Sequence, residues 1–207
     1  MNRSSGGLIE VNELLRQAEM LYEEESFERA LEIFQQLALL GVAEAYKYIG
    51  LIYRYGEGVL SEGSHQSEIW FSRYIDQLHE NLRNGDLESG YILALSYQYG
   101  DMVEIDEEMA KKLFMSCAEK GHGPSQFRLS TLWRYGWCGL EVDIERCMHW
   151  LDRAISSEYP EALYQKGLDL VNMGGKEAEV QAMTLISNAA QRGFWPAEDY
   201  LKNCSIR

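Results

Sequence analysis

Three short stretches bring aromatic rings, arginine and glycine together at a fixed spacing. "YRYGEGV" runs from Tyr53 to Val59, "YQYGDMV" from Tyr97 to Val103 and "WRYGWCG" from Trp133 to Gly139. The chemistry open to such residues is recognition rather than bond-making. Aromatic rings and guanidinium groups dominate the energetics of protein-binding surfaces. No catalytic constellation of a nucleophile beside its base recurs among them. Two roles compete for each stretch: a repeated structural turn, or a repeated binding element.

Little else in the chain points to a reaction. "GGKE" at 174–177 lacks the rest of a phosphate-binding loop. No nucleophile elbow is present. Cys117, Cys138, Cys147 and Cys204 show no metal-ligand spacing and read as small buried apolar residues in a reducing compartment. His65, His79, His122 and His149 are scattered, with no i, i+4 pair, so no metal site is expected. No cofactor is expected either. Carboxylate pairs are so abundant that a solvated acidic face accounts for them.

The charge is strongly one-sided. The 207 residues hold 19 Lys plus Arg against 33 Asp plus Glu, a net of −14. Such a field repels nucleic acid and anionic lipid; it favours basic partners and also keeps a protein in solution. Residues 1–41 hold eight acidic and three basic groups, as do residues 86–121, so any attraction centres there. No window approaches the ~18 apolar residues that cross a bilayer. "MNRSSGGLIEVNELL" has no apolar run of signal-peptide length, so an intact cytoplasmic start is expected.

The elements that must position the three stretches are written as a repeat. Aligned on Gly56, Gly100 and Gly136, the copies stand 44 and 36 residues apart, and Gly174 follows 38 later. Small residues precede these glycines: Gly50, Ala94, Ser130 and Gly167. Earlier still come Ala45, Ser89, Ser125 and Ala162, and Ala197 opens a partial fifth copy. Ala45, Ile49 and Tyr53 share one helical face, as do Ser89, Leu93 and Tyr97, and Ser125, Leu129 and Trp133. Small side chains there let two helices approach to ~8–10 Å. A glycine then ends the helix. A second helix follows, clearest where Asp106 caps "DEEMAKKLFMSCAEKG" with Ala110, Leu113, Phe114 and Cys117 on one stripe. Cys147, Trp150, Leu151 and Ala154 form the next such stripe, and Ala182, Leu185, Ile186 and Ala189 the one after. The first copy carries eight extra residues, read as a loop and a second helix from about Ser67 to Leu82. Ahead of the copies, Ala18, Leu21, Phe27, Ala30, Phe34 and Leu37 have the spacing of a tetratricopeptide helix pair.

With "AYKYIGLIYRYGEGV", "SGYILALSYQYGDMVEIDEEMAKKLFMSCAEKG" and "SQFRLSTLWRYGWCGLEVDIERCMHWLDRA" in register, the chain resembles the Sel-one-like repeat family. That resemblance implies an all-α, right-handed α-solenoid of stacked helix-turn-helix repeats. It divides one solenoid domain into a helix pair at 8–41, repeats at 42–85, 86–121, 122–158 and 159–193, and a partial capping helix at 194–207. It also implies an adaptor scaffold whose activity belongs to its partners, and not an enzyme. A hydrolase reading rests on family analogy alone. "VNMGGKEAEV" departs from the pattern, having lost the turn aromatics.

In such a stack, Tyr48, Ile92 and Arg128, then Leu51, Leu95 and Thr131, then Tyr55, Tyr99 and Tyr135 are expected to line one inner, concave face, with Arg54 and Arg134 nearby. Either they anchor a partner or they pack on the next repeat. Trp70, Phe71 and Tyr74 beside the insertion add bulk that must be buried in the protein or on a partner. Trp137 in a turn is a further anchor candidate. The expected partner is another protein, basic in charge; nucleic acid and membrane are not expected. An immunity protein neutralising a basic toxin or effector domain is the alternative. The C-terminal end, "YLKNCSIR", either caps weakly or stacks on a second copy in a homo-oligomer.

Overall fold

A computed structural model describes residues 4–55 and 63–205. Among the described residues there are eleven helices: α1 Ser4–Glu23, α2 Phe27–Leu39, α3 Ala43–Tyr55, α4 Gly63–Arg83, α5 Leu87–Tyr99, α6 Glu107–Glu119, α7 Gly123–Tyr135, α8 Ile144–Ser156, α9 Pro160–Met173, α10 Lys176–Gln191 and α11 Trp195–Ser205. The fold is all-α, of the α-solenoid class, and α1–α2, α3–α4, α7–α8 and α9–α10 pack as hairpins. The chain gathers into two compact units. The first is Met1–Ser89 with Gly100–Ile105; the second is Gly90–Tyr99 with Asp106–Arg207. Gly56 and the loop of the first-repeat insertion lie outside the described residues.

Helices α6 and α8 start on side-chain caps. Asp106 and Asp143 accept hydrogen bonds from the Met109 and Arg146 amides at 2.8 and 2.9 Å, satisfying donors that a helix leaves open at its first turn. Gly136 ends α7 in the left-handed conformation, φ 69° and ψ 37°. The fourth turn differs: Gly174 keeps a positive φ of 72° but has ψ 169°, and Gly175 follows at φ 98°. Helix α4 begins at Gly63, not near Ser67, and ends at Arg83, not Leu82. Residues 64–66 hold no helix breaker, and a helix nucleated by its packed part extends at little cost.

One turn recurs between helices, within the first pair and then between pairs. The amides of Ser26, Val42, Asp86, His122, Tyr159 and Phe194 each reach back to the carbonyl five residues earlier. The preceding amide bonds the carbonyl three residues before it, which is the Schellman arrangement. Its left-handed position is glycine at 41, 85, 121 and 193, but Glu25 (φ 58°) and Glu158 (φ 55°) hold it elsewhere. Glu158 also pairs with Arg192 at 2.7 Å.

In the first unit the core is Ala18, Ala30, Phe34, Leu37, Ala45, Ile49 and Ile52, all essentially buried. Phe71 of α4 lies directly against Gly50 of α3, and a Cβ built on Gly50 would stand 2.5 Å from its ring. Phe71 and Tyr74 are therefore interior. In the second unit Ala94, Ala110, Phe114, Leu129, Leu132 and Cys147 form one cluster. Gly167 repeats the Gly50 device: its Cβ would meet Ile186 of α10 at 2.6 Å. The three second-helix stripes are buried except Leu113 and Leu185, which are half-buried. Cys117, Cys138 and Cys147 are buried as expected, but Cys204 is exposed. It lies near the end of α11, where nothing in the second unit covers it.

Two stability outcomes follow. Gly50→Ala and Gly167→Ala should each cost about 1–3 kcal/mol, because the added methyl forces the facing helix away. Thermal denaturation followed by circular dichroism reads this. Glu25→Gly should instead stabilise by about 0.5–1 kcal/mol, since Glu25 is exposed and its left-handed backbone is strained.

Candidate binding surface

The first helix of each repeat puts its small and aliphatic residues inward. Ala45, Ile49, Ser89, Leu93, Ser125, Leu129 and Trp133 are buried, and Tyr53 and Tyr97 are half-buried against the same cores. Two positions after each aromatic, the chain turns outward. Tyr55, Tyr99 and Tyr135 are 60, 61 and 56% exposed.

In the second unit these rings meet a guanidinium. Arg128 of α7 donates from Nε and Nη2 to Gln98 Oε1 at 3.1 and 2.7 Å, and from Nη2 to the Tyr99 hydroxyl. Its charged carbon lies 5.4 Å from the Tyr99 ring centre and 5.8 Å from that of Trp137. Trp137 stacks on Tyr135 at 5.0 Å. Trp137 stays out because Cys138 turns in: Cys138 has φ 54° and is 4% exposed, against 46% for Trp137. Burial pushes the Cys138 thiol up, with Glu107 adding to it, so this cysteine is a poor nucleophile. Gln98, Tyr99, Arg128, Tyr135 and Trp137 thus form one continuous aromatic–arginine surface.

Arg134 is spent elsewhere. It forms a two-pronged pair with Asp169 of α9 at 2.7 and 3.2 Å, and Gln165 also donates to that carboxylate at 3.0 Å. Partial burial alone would push the Asp169 carboxyl up. The Arg134 and Gln165 hydrogen bonds outweigh it, so its pKa lies below the ordinary value. Thr131 is half-buried and donates to the Phe127 carbonyl at 3.2 Å. Leu95 packs against the α5–α8 core, and Ile92 is half-buried on α5.

In the first unit the rings are more enclosed. Tyr48 stacks on Phe34 at 4.7 Å and meets Tyr22 edge-on at 5.2 Å. Burial first, then Glu19, pushes its hydroxyl up to about 12. Tyr48 therefore braces α3 against α1 and α2. Trp70 is half-buried, 6.0 Å from the Tyr46 ring, with Arg73 over it at 4.6 Å. Leu51 is half-buried. Arg54 covers Phe71 at 4.2 Å and sits 4.0 Å from Asp101.

Gln98 and Asp169 are the residues that sequence reasoning missed. Asp169 left a trace, because it holds the register of Ile52, Ser96 and Leu132, two residues after the small position. Among the described residues, no three of His, Cys, Asp and Glu gather to hold a metal, and no helix is long and apolar enough to cross a membrane.

Hairpins with their own small cores and recognition-type residues at their turns define a helical-repeat protein. The sequence profile of the Sel1 repeat matches residues 43–77, 89–122 and 123–159. Together these are half of the chain, which belongs to the Sel1 repeat family. Its structure is similar to that of a Sel1 repeat protein from Oxalobacter formigenes, with 22% identity, 90% of this chain and 73% of that one covered, and a TM-score of 0.57. It is also similar to a protective antigen of uropathogenic Escherichia coli displaying an SLR fold, at 19% identity, 91% and 43% coverage, and a TM-score of 0.51. An immunity protein from Pseudomonas aeruginosa matches at 18% identity, 87% and 68% coverage, and a TM-score of 0.48. At these identities the likeness is one of fold. A comparison with curated proteins found no match.

The Arg134–Asp169 pair gives an acid-dependent outcome. Asp169→Asn should cost about 1–2 kcal/mol at neutral pH, between the values for exposed and buried pairs. A depressed carboxyl stabilises the fold above its unfolded pKa of about 3.9 and loses that contribution as pH falls through the lower folded value. Melting curves of the two proteins should therefore converge in strong acid.

Proposed function

We propose that this protein is a non-catalytic scaffold that holds a partner protein on its aromatic–arginine surface. One observation carries the reading: Tyr99, Tyr135 and Trp137 are each about half exposed around Arg128. Large rings left in water forgo the burial they favour, and a partner that covers them recovers it. Tyr and Trp hold their shape at low entropic cost, which suits them to anchor a contact.

The charge supports a partner with basic character. Of the eight acidic residues in 1–41, all but Glu19 are exposed, and such a stretch speeds the encounter with a basic protein. The cysteine usage favours a cytoplasmic location. A second reading rests on the same charge: the partner is a basic toxin or effector domain, and binding neutralises it. That version requires one stoichiometric partner whose own activity falls on binding.

Affinity purification from the native host, with wild type beside a Tyr99→Ala, Tyr135→Ala, Trp137→Ala variant, tests the scaffold reading. A partner held by wild type should bind the variant at least ~100-fold more weakly, since each anchor contributes on the order of 1–2 kcal/mol. A variant with an unchanged circular dichroism spectrum that keeps the partner at full strength sinks it.

A further inference from the structure

We propose that Arg128 is a receptor for a carboxylate: its Nη1 edge, framed by Tyr99 and Trp137, takes an Asp or Glu side chain from the partner's docking segment. The inference rests on the scaffold reading and names the chemistry of one contact within it.

A guanidinium carries five N–H donors. Gln98 Oε1 occupies the Nε–Nη2 side of Arg128, and the Tyr99 hydroxyl takes the second Nη2 hydrogen. Three donors are thereby used inside the protein. No described residue accepts from Nη1. The group is thus held in place and still presents two N–H donors, a pre-organised half of a fork. Arg134, six residues further along the same helix, is the contrasting case: Asp169 already supplies its carboxylate. Asp169 shows what an arginine of this helix takes when a carboxylate is within reach.

The ligand class follows from what is left. Phosphate and carboxylate both favour a two-pronged grip, and the Nε–Nη2 side that would give one is filled by Gln98, so an anion here meets Nη1. Of the two, a singly charged carboxylate loses less hydration than phosphate beside two aromatic rings. The flanking rings of Tyr99 and Trp137 favour apolar residues beside that carboxylate. Glu108 holds Lys111 at 2.6 Å, so Arg128 itself must attract the carboxylate. The more distant acidic groups of a protein of net charge −14 are screened over ~8 Å at physiological salt.

The test uses the full-length ¹⁵N-labelled protein and three probes: acetyl-Phe-Glu-Leu-Tyr-amide, its Glu→Gln counterpart, and inorganic phosphate. The Glu peptide should shift the Trp137 indole N–H and the Arg128 Nε–H resonances. The Gln peptide should bind ~10-fold more weakly, as expected for one charge-assisted hydrogen bond. Arg128→Gln should abolish the preference. Equal binding of the two peptides, a preference that survives Arg128→Gln, or tighter binding of phosphate overturns the proposal, as does no shift at millimolar peptide. Should Arg128→Gln fail to fold, the wild-type preference decides alone. If partner capture depends on the aromatic anchors yet the peptides are not distinguished, only this inference falls. If capture ignores the aromatics, the scaffold reading falls.

Discussion

The helix pairs are held by a side chain that is missing. At Gly50 and Gly167 the facing helix sends Phe71 or Ile186 into the space a Cβ would fill. Ala94 and Ser130 hold the matching positions in the repeat and are buried. Dispersion falls off steeply with separation, so helices held even slightly apart lose much of their contact energy. The close approach sets where the second helix lies, and the turn between them inherits that geometry. Everything at the turn, including the outward rings, is placed by it.

The turn then sorts neighbouring residues to opposite fates. Along "WRYGWC" in the second unit, Trp133 is buried, Arg134 is paired and Tyr135 is exposed; Trp137 is exposed and Cys138 buried. Six residues alternate between interior and surface because the backbone passes through two left-handed positions, Gly136 and Cys138. The two roles weighed for this stretch, structural turn and binding element, are thus not rivals. The first aromatic is core, the arginine ties α7 to α9, and the last rings form the surface.

Much of this was legible because it depends on side-chain volume at short sequence range. The small positions, the buried stripes of α6, α8 and α10, and the Asp106 cap are local patterns, and the structure bears them out. Which polar groups meet was not legible. Gln98 and Arg128 lie thirty residues apart, and only the packing of α5 on α7 joins them. Asp169 was readable as an anomaly, an acid in a register of buried residues, but its partner was not. Tyr48 shares a register with Arg128, yet it stacks into the first unit's core because Phe34 stands beside it. Cys138 in a left-handed conformation carries no residue-type signal, since glycine or asparagine is the usual occupant.

The pair Glu158 and Arg192 binds the fate of two positions together. Glycine at 158 would relax the backbone, whose left-handed state costs about 1–2 kcal/mol for an ordinary residue. It would also strand Arg192, whose 2.7 Å link to Glu158 joins one inter-hairpin turn to the next. An exposed ion pair contributes at most about 1 kcal/mol, so the two effects nearly cancel. Losing Arg192 alone, by contrast, leaves the strain at position 158 with nothing to offset it. In the divergence of such chains, positions 158 and 192 are expected to change as a couple: glycine when the arginine is lost, a carboxylate when it is kept.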